Sequence, residues 1–93
     1  MRYMVVYDIA DDRLRNRISD LCQEFGVRVQ ESVFECELEE NGLALLVQRL
    51  AREIADASAA NVRLYRVCRD CLRASLALGQ TLPGIGDEPC IVV

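Results

Sequence analysis

Tyr3-Met4-Val5-Val6-Tyr7-Asp8-Ile9, followed by Ala10-Asp11-Asp12, is the stretch from which the fold is read. Apolar residues stand at both parities, the pattern of a central strand covered on both faces. Asp8 is an acid placed where that strand is about to end. The residues beyond it lead into a helix that opens with arginines. A carboxylate at a strand end beside cationic side chains can hold a metal ion near a phosphate. The plainer reading is that Asp8 only caps or turns the chain, and these residues alone favour that one.

Working outward, residues 2–9 form the strand, and Asp11 or Asp12 can cap a helix running to about Phe25. Leu14, Ile18, Leu21, Cys22 and Phe25 give that helix one apolar stripe. Arg13, Arg15 and Arg17 lie off the stripe, and Gly26 stands where a glycine ends a helix. Residues 27–39 are strand-like. Phe34, Cys36 and Leu38 alternate with Glu35, Glu37 and Glu39, while Val27 and Val29 alternate with Arg28 and Gln30. The parity changes around Glu31-Ser32-Val33, which needs a tight turn or a bulge: either a very short hairpin or one bent strand.

A second helix starts at Asn41-Gly42 and runs to about Ala57, with Leu43, Leu46, Val47, Leu50 and Ile54 as its apolar stripe. Residues 62–68 form another strand. Arg69 to Arg73 reads as a turn, Ala74 to Leu78 as a short strand, Gln80 to Pro89 as a loop, and Cys90-Ile91-Val92-Val93 as a last strand. A terminal strand this apolar is a sticky edge and is expected to pair with something. The order β-α-β-β-α-β plus C-terminal strands predicts an α+β fold of the ferredoxin-like, split βαβ kind: an antiparallel sheet with two helices on one face.

The chain has 93 residues, so one domain, 1–93, is expected. Of these, 52% are apolar, a surplus for so small a domain, and a homodimer is the simplest way to use it. No apolar run approaches the ~20 residues that span a bilayer. Met1-Arg2-Tyr3 carries no signal-peptide pattern, so no membrane association and a cytoplasmic location are expected. The odd number of cysteines, at 22, 36, 68, 71 and 90, suits reduced and mostly buried thiols. A net charge of −4 argues against non-specific coating of nucleic acid, although it permits a local basic ridge. All eleven basic residues are arginine, the side chain whose fork grips phosphate bidentately, though a GC-rich genome also favours Arg.

With no histidine, the chain lacks the usual general base and the Ser-His and Cys-His nucleophilic pairs. It has no P-loop, and Gly84-Ile85-Gly86 is only a turn. Cys68-Arg-Asp-Cys71 is a lone C-x-x-C. A zinc site needs four ligands, which only two copies across a dimer would supply, and no thioredoxin-like unit surrounds the pair. Half-buried or buried thiols are the expectation there. One carboxylate is a poor magnesium cage, but Mg²⁺ often takes only one or two carboxylates with water and phosphate oxygens. A symmetric dimer that joined both Asp8 side chains would supply two. Arg15, Arg17 and Arg28 could hold the flanking phosphates, although a structural role accounts for each separately. Phe34 lies on the apolar parity and reads as core rather than as a base-stacking ring. Tyr7 reads as a hydrogen-bonding partner near Asp8 or as part of a dimer seam, and Arg28 lies on the polar parity.

Taken together, Val5-Val6-Tyr7-Asp8-Ile9-Ala10-Asp11-Asp12 with Arg15-Asn16-Arg17, the stretch from Gly26 to Cys36, and Val62-Arg63-Leu64-Tyr65-Arg66-Val67-Cys68 resemble one family. It is the small CRISPR-associated endonuclease family, the lesser of the two proteins of the spacer-acquisition complex. The resemblance covers residues 1–71 well and the tail loosely. It implies a ferredoxin-like homodimer in which 74–93 is a strand and loop extension packing on the partner protomer. It implies that Asp8 is catalytic and the metal ligand, with Mg²⁺ or Mn²⁺ as cofactor. Arg15, Arg17 and Arg28 would then bind nucleic acid, and Tyr7 and Phe34 would support the site. It further implies a metal-dependent endonuclease on double-stranded DNA or single-stranded RNA that partners the CRISPR integrase. A non-catalytic scaffold between integrase dimers is the first alternative. A ferredoxin-like interferase-type toxin is the second.

Overall fold

The computed structural model describes residues 1–76 and Leu78. Among these, β1 (Arg2–Ile9), α1 (Asp12–Gln23), β2 (Gly26–Gln30), β3 (Val33–Glu37), α2 (Glu40–Ile54), β4 (Ala60–Val67) and α3 (Arg69–Arg73) follow one another. The four strands form one sheet in the order β2-β3-β1-β4, and every neighbouring pair is antiparallel. This is the α+β, ferredoxin-like βαββαβ arrangement, with β1 in the middle as its apolar character requires. No helix among the described residues is long and apolar enough to cross a membrane.

Pleating divides β1 between two environments. Val5, Tyr7 and Ile9 are buried with Phe34 and Cys36 of β3, Leu14, Ile18, Leu21 and Cys22 of α1, and Leu46 and Leu50 of α2. Met4 and Val6, on the other parity, are only half-buried and Asp8 is exposed, because no described helix covers that face. α1 starts where expected: the Asp11 carboxylate accepts from the Leu14 N–H at 2.8 Å. α2 buries Leu46 and Leu50, but Val47 stays 44% exposed and drops out of the expected stripe.

The parity change at 31–33 resolves as the short hairpin. Glu31-Ser32 turns the chain, and the β2–β3 register shifts between Arg28 and Gln30. That shift sets Arg28 opposite Phe34 and Val27 opposite Glu35. Arg28 therefore stands on the helix-covered side, and Val27 is 41% exposed, the reverse of a simple alternation. Glu35, expected outside, is also buried, because Arg2 pairs with it at 3.4 Å across the open face. Gly26 opens β2 rather than ending a helix. A Cβ there would press on the Glu35 carbonyl and stand 2.6 Å from the Cys36 Sγ, so only glycine lets the hairpin close this tightly.

Beyond β4 two expectations are corrected. Arg69 to Arg73 is a short helix rather than a turn, because the Cys68 side chain and backbone cap it. Ala74 ends that helix, and Ser75 and Leu76 carry no strand. The short strand fails because the local hydrogen bonds Ala74 N–H to Asp70 O and Ser75 N–H to Leu72 O already use the backbone donors. The loop of 80–89, the strand of 90–93 and so most of the 74–93 extension lie outside the described residues.

Candidate functional site

Asp8 is where the sheet narrows. The β1–β3 ladder stops at Val6 opposite Val33, whereas the β1–β4 ladder continues through Asp8 opposite Asn61 to Ile9 opposite Ala60. On the β3 side Tyr7 makes the last bonds. Its N–H donates to the Ser32 carbonyl at 3.1 Å and its hydroxyl to the Glu31 carbonyl at 3.3 Å. Its ring lies buried and stacked on Phe34, with centroids 6.3 Å apart. The next residue, Asp8, is thus carried on a fixed strand end, yet its side chain is exposed on the uncovered face. Tyr7 and Phe34 act as the packing beneath it. Phe34 is fully buried, in keeping with the core reading.

The three arginines do not converge. Arg15 reaches back to the end of β1, where Nη1 donates to the Ile9 carbonyl at 3.1 Å and Nη2 meets Asp12. Its guanidinium therefore sits one residue beyond Asp8. Arg17 points toward α2, where its Nε bonds Glu53 at 3.0 Å. Arg28 is half-buried at the β2 edge. Its Nη2 bonds the Ser19 hydroxyl of α1, its guanidinium lies 5.3 Å from the Phe34 ring centre, and its Nε is buried with no hydrogen-bond partner. A guanidinium stacked on a ring and bonded to a buried hydroxyl ties the edge strand to α1.

An open cleft of about 440 Å³ lies just past the strand end, lined by Asp11, Arg17, Glu53 and Asp56 among others. Three carboxylates against one guanidinium repel a phosphodiester, and Asp8 is not part of the lining. Asp8 itself stands exposed on the opposite, open face. Among the described residues no three His, Cys, Asp or Glu side chains gather as a metal cage. At this strand end the chain offers Asp8, with the Asn61 position beside it in register. Asn61 was not singled out in the sequence; only the pairing register reveals it. The open face also carries Met4, Val6 and Tyr65, the last 50% exposed, with the Tyr65 hydroxyl 3.4 Å from Arg63 Nη1.

Comparison with known proteins identifies a family and a shared fold. The family described as CRISPR associated protein Cas2 matches residues 1–74. The chain is 40% identical over 83 residues to the CRISPR-associated endoribonuclease Cas2 1 of Chloroflexus aurantiacus, covering 89% of both chains. It is 45% identical over 65 residues to the CRISPR-associated endonuclease Cas2 2 of Thermus thermophilus, covering 70% of this chain and 71% of that relative. Its fold matches the crystal structure of Streptococcus pyogenes Cas2 with a TM-score of 0.75 and 28% identity, over 85% of this chain and 100% of the other.

Proposed function

This chain belongs to the CRISPR-associated Cas2 family, and from that premise we propose that it is a homodimeric, nucleic-acid-binding subunit of spacer acquisition with metal-dependent endonuclease activity. The observation that carries the reading is the exposed Asp8 at the end of the central strand, on the sheet face that no described helix covers. Two such faces packed about a two-fold axis would bury Met4, Val6 and Tyr65 and bring the two Asp8 residues into one interface. Two carboxylates from two protomers fit the coordination habits of Mg²⁺ or Mn²⁺, which complete their shells with water and phosphate oxygens. When bound, such an ion supplies Lewis acidity and a more acidic water.

The remaining work falls to the chain's own groups. Asp8 presents its carboxylate from a backbone held by Tyr7 on one side and β4 on the other. Arg15 stands at the same strand end, and two of its five N–H donors are used by Ile9 and Asp12, so others remain for a phosphate. Arg17 engages Glu53 through Nε beside the acidic cleft, so a backbone contact would use only outer nitrogens that turn away from that cleft. Arg28 contributes by fixing the edge strand, and Ser19 takes one of its five N–H donors, so a phosphate would be met by the remaining ones.

Asp8→Ala should abolish magnesium-dependent cleavage of DNA or RNA while leaving the dimer intact, as read by nuclease assay and light scattering. Undiminished cleavage by that variant would refute the catalytic assignment. A second reading, a scaffold between integrase dimers, is favoured by one specific feature: the chain has no histidine, the usual general base, and among the described residues no three His, Cys, Asp or Glu side chains gather around Asp8. Spacer acquisition that persists with Asp8→Ala, but is lost when the protein is deleted, is the outcome expected of the scaffold.

A further inference from the structure

The C-x-x-C pair does not have the buried setting expected of it. Cys68 and Cys71 are both exposed at the point where the chain leaves β4. The Cys68 Sγ accepts the Cys71 N–H at 3.3 Å, so the first thiol is folded back over the turn that carries the second. Cys68 is the N-cap and Cys71 the third residue of the helix it caps, so the Cys68 sulfur already lies against the Cys71 backbone, and a disulfide needs only that the two side chains turn toward each other until their Cβ atoms stand about 4 Å apart. We propose that Cys68 and Cys71 form a thiol–disulfide exchange site, with Cys68 the attacking and Cys71 the resolving thiol, that takes a low-molecular-weight disulfide such as oxidised glutathione as its oxidant.

The surroundings support this assignment of roles. The Cys71 amide and thiol, helped by the Asp70 amide, hold Cys68 below the ordinary thiol value, against an opposing push from the Asp70 carboxylate. Cys71 is pushed up by its hydrogen bond to Cys68, by the charge of that thiol, and by Asp70. The thiolate is the nucleophile, so Cys68 reacts first. The other two described cysteines are opposites. Burial lifts Cys22 to about 12 and Cys36 to about 11, and both stay inert thiols. Metal binding is the weaker use of the pair, because the described residues offer no third ligand beside it.

The steps balance. The Cys68 thiolate attacks one sulfur of the disulfide, forming a mixed disulfide and expelling one thiolate. Cys71 gives its proton to water and attacks the Cys68 sulfur, forming the intrachain bond and expelling the second thiolate. The chain loses two electrons and two protons, and the small disulfide gains them as two thiols.

The test uses the full chain in glutathione buffers of stepped oxidation, read by intact mass and by mapping disulfide-linked peptides. The expected result is loss of two hydrogens in the oxidised chain, a Cys68–Cys71 linkage, and reversal by dithiothreitol. Cys71→Ser should accumulate a glutathione adduct on Cys68, whereas Cys68→Ser should form adduct at Cys71 more slowly. Thiols that stay free in oxidised glutathione, a linkage to Cys90 or between chains instead, or equal adduct rates in the two variants would overturn the proposal. So would zinc held by the wild-type chain that blocks oxidation. None of these readouts depends on nuclease activity.

Discussion

The two faces of β1 meet different surroundings. Val5 and Val6 are adjacent and chemically identical, yet Val5 is fully enclosed while Val6 is half-buried on a face without a described cover. One parity of the strand belongs to the core, and the other carries Asp8, Arg63, Tyr65 and the Arg2–Glu35 pair. The hydrophobic core thus lies on one side, and the other side presents half-buried and exposed side chains around one buried ion pair. That separation lets an exposed acid change without loss of structure.

The largest test of this contrast is Phe34→Ala. Phe34 has no exposed surface and underlies both Tyr7 and Arg28. Its removal should cost about 4 kcal/mol, read as a fall in the urea midpoint. Arg28 would lose its stacking partner at the same time. Next comes the pair Val5→Ala and Val6→Ala. The first should cost about 2 kcal/mol and the second less than about 1. If Val6→Ala instead weakens self-association in sedimentation, the open face is the seam between copies.

A smaller effect is expected from alkaline pH. Cys22 and Cys36 titrate near 12 and 11 in the fold, against an ordinary thiol value of 9.0. Below about 9 both states hold these protons and stability is unaffected. As pH rises above 9, the unfolded chain releases protons that the folded chain keeps, so stability falls and goes on falling until the folded thiols ionise. Cys22→Ala should flatten that decline in a melting series from pH 8 to pH 11. The smallest shift in stability belongs to Asp8→Ala, within about 0.5 kcal/mol for an exposed side chain. Set beside the loss of cleavage expected of the same variant, so small a shift would separate a role of Asp8 in chemistry from one in folding.

Much of this was legible in the residues. The apolar pattern of 3–9, the Asp11 cap and the stripe Leu14, Ile18, Leu21, Cys22 gave β1 and α1 nearly to the residue. Asp8 at the strand end could be read directly, because its position depends only on where the apolar run stops. Arg28 could not. Its face depends on a register shift of β2 against β3, and a one-residue slip reverses every side chain in the strand. Glu35 was misplaced for a different reason. Its partner Arg2 is 33 positions away, and a buried ion pair across two strands leaves no local periodic trace. The C-x-x-C of Cys68 and Cys71 was legible but its exposure was not, because the same residues fit a turn or a helix start, and only the chain's exit from β4 decides between them.

Tyr7 grips the Glu31-Ser32 turn through both its amide and its hydroxyl. A peptide rotation in that turn would have to break or carry along the Tyr7 backbone that precedes Asp8, which would make the hairpin tip a lever on the strand end. Slow deuterium uptake at the Tyr7 amide would register the lever at rest, and any ligand that loosens or tightens the tip would be felt at Asp8 without touching it.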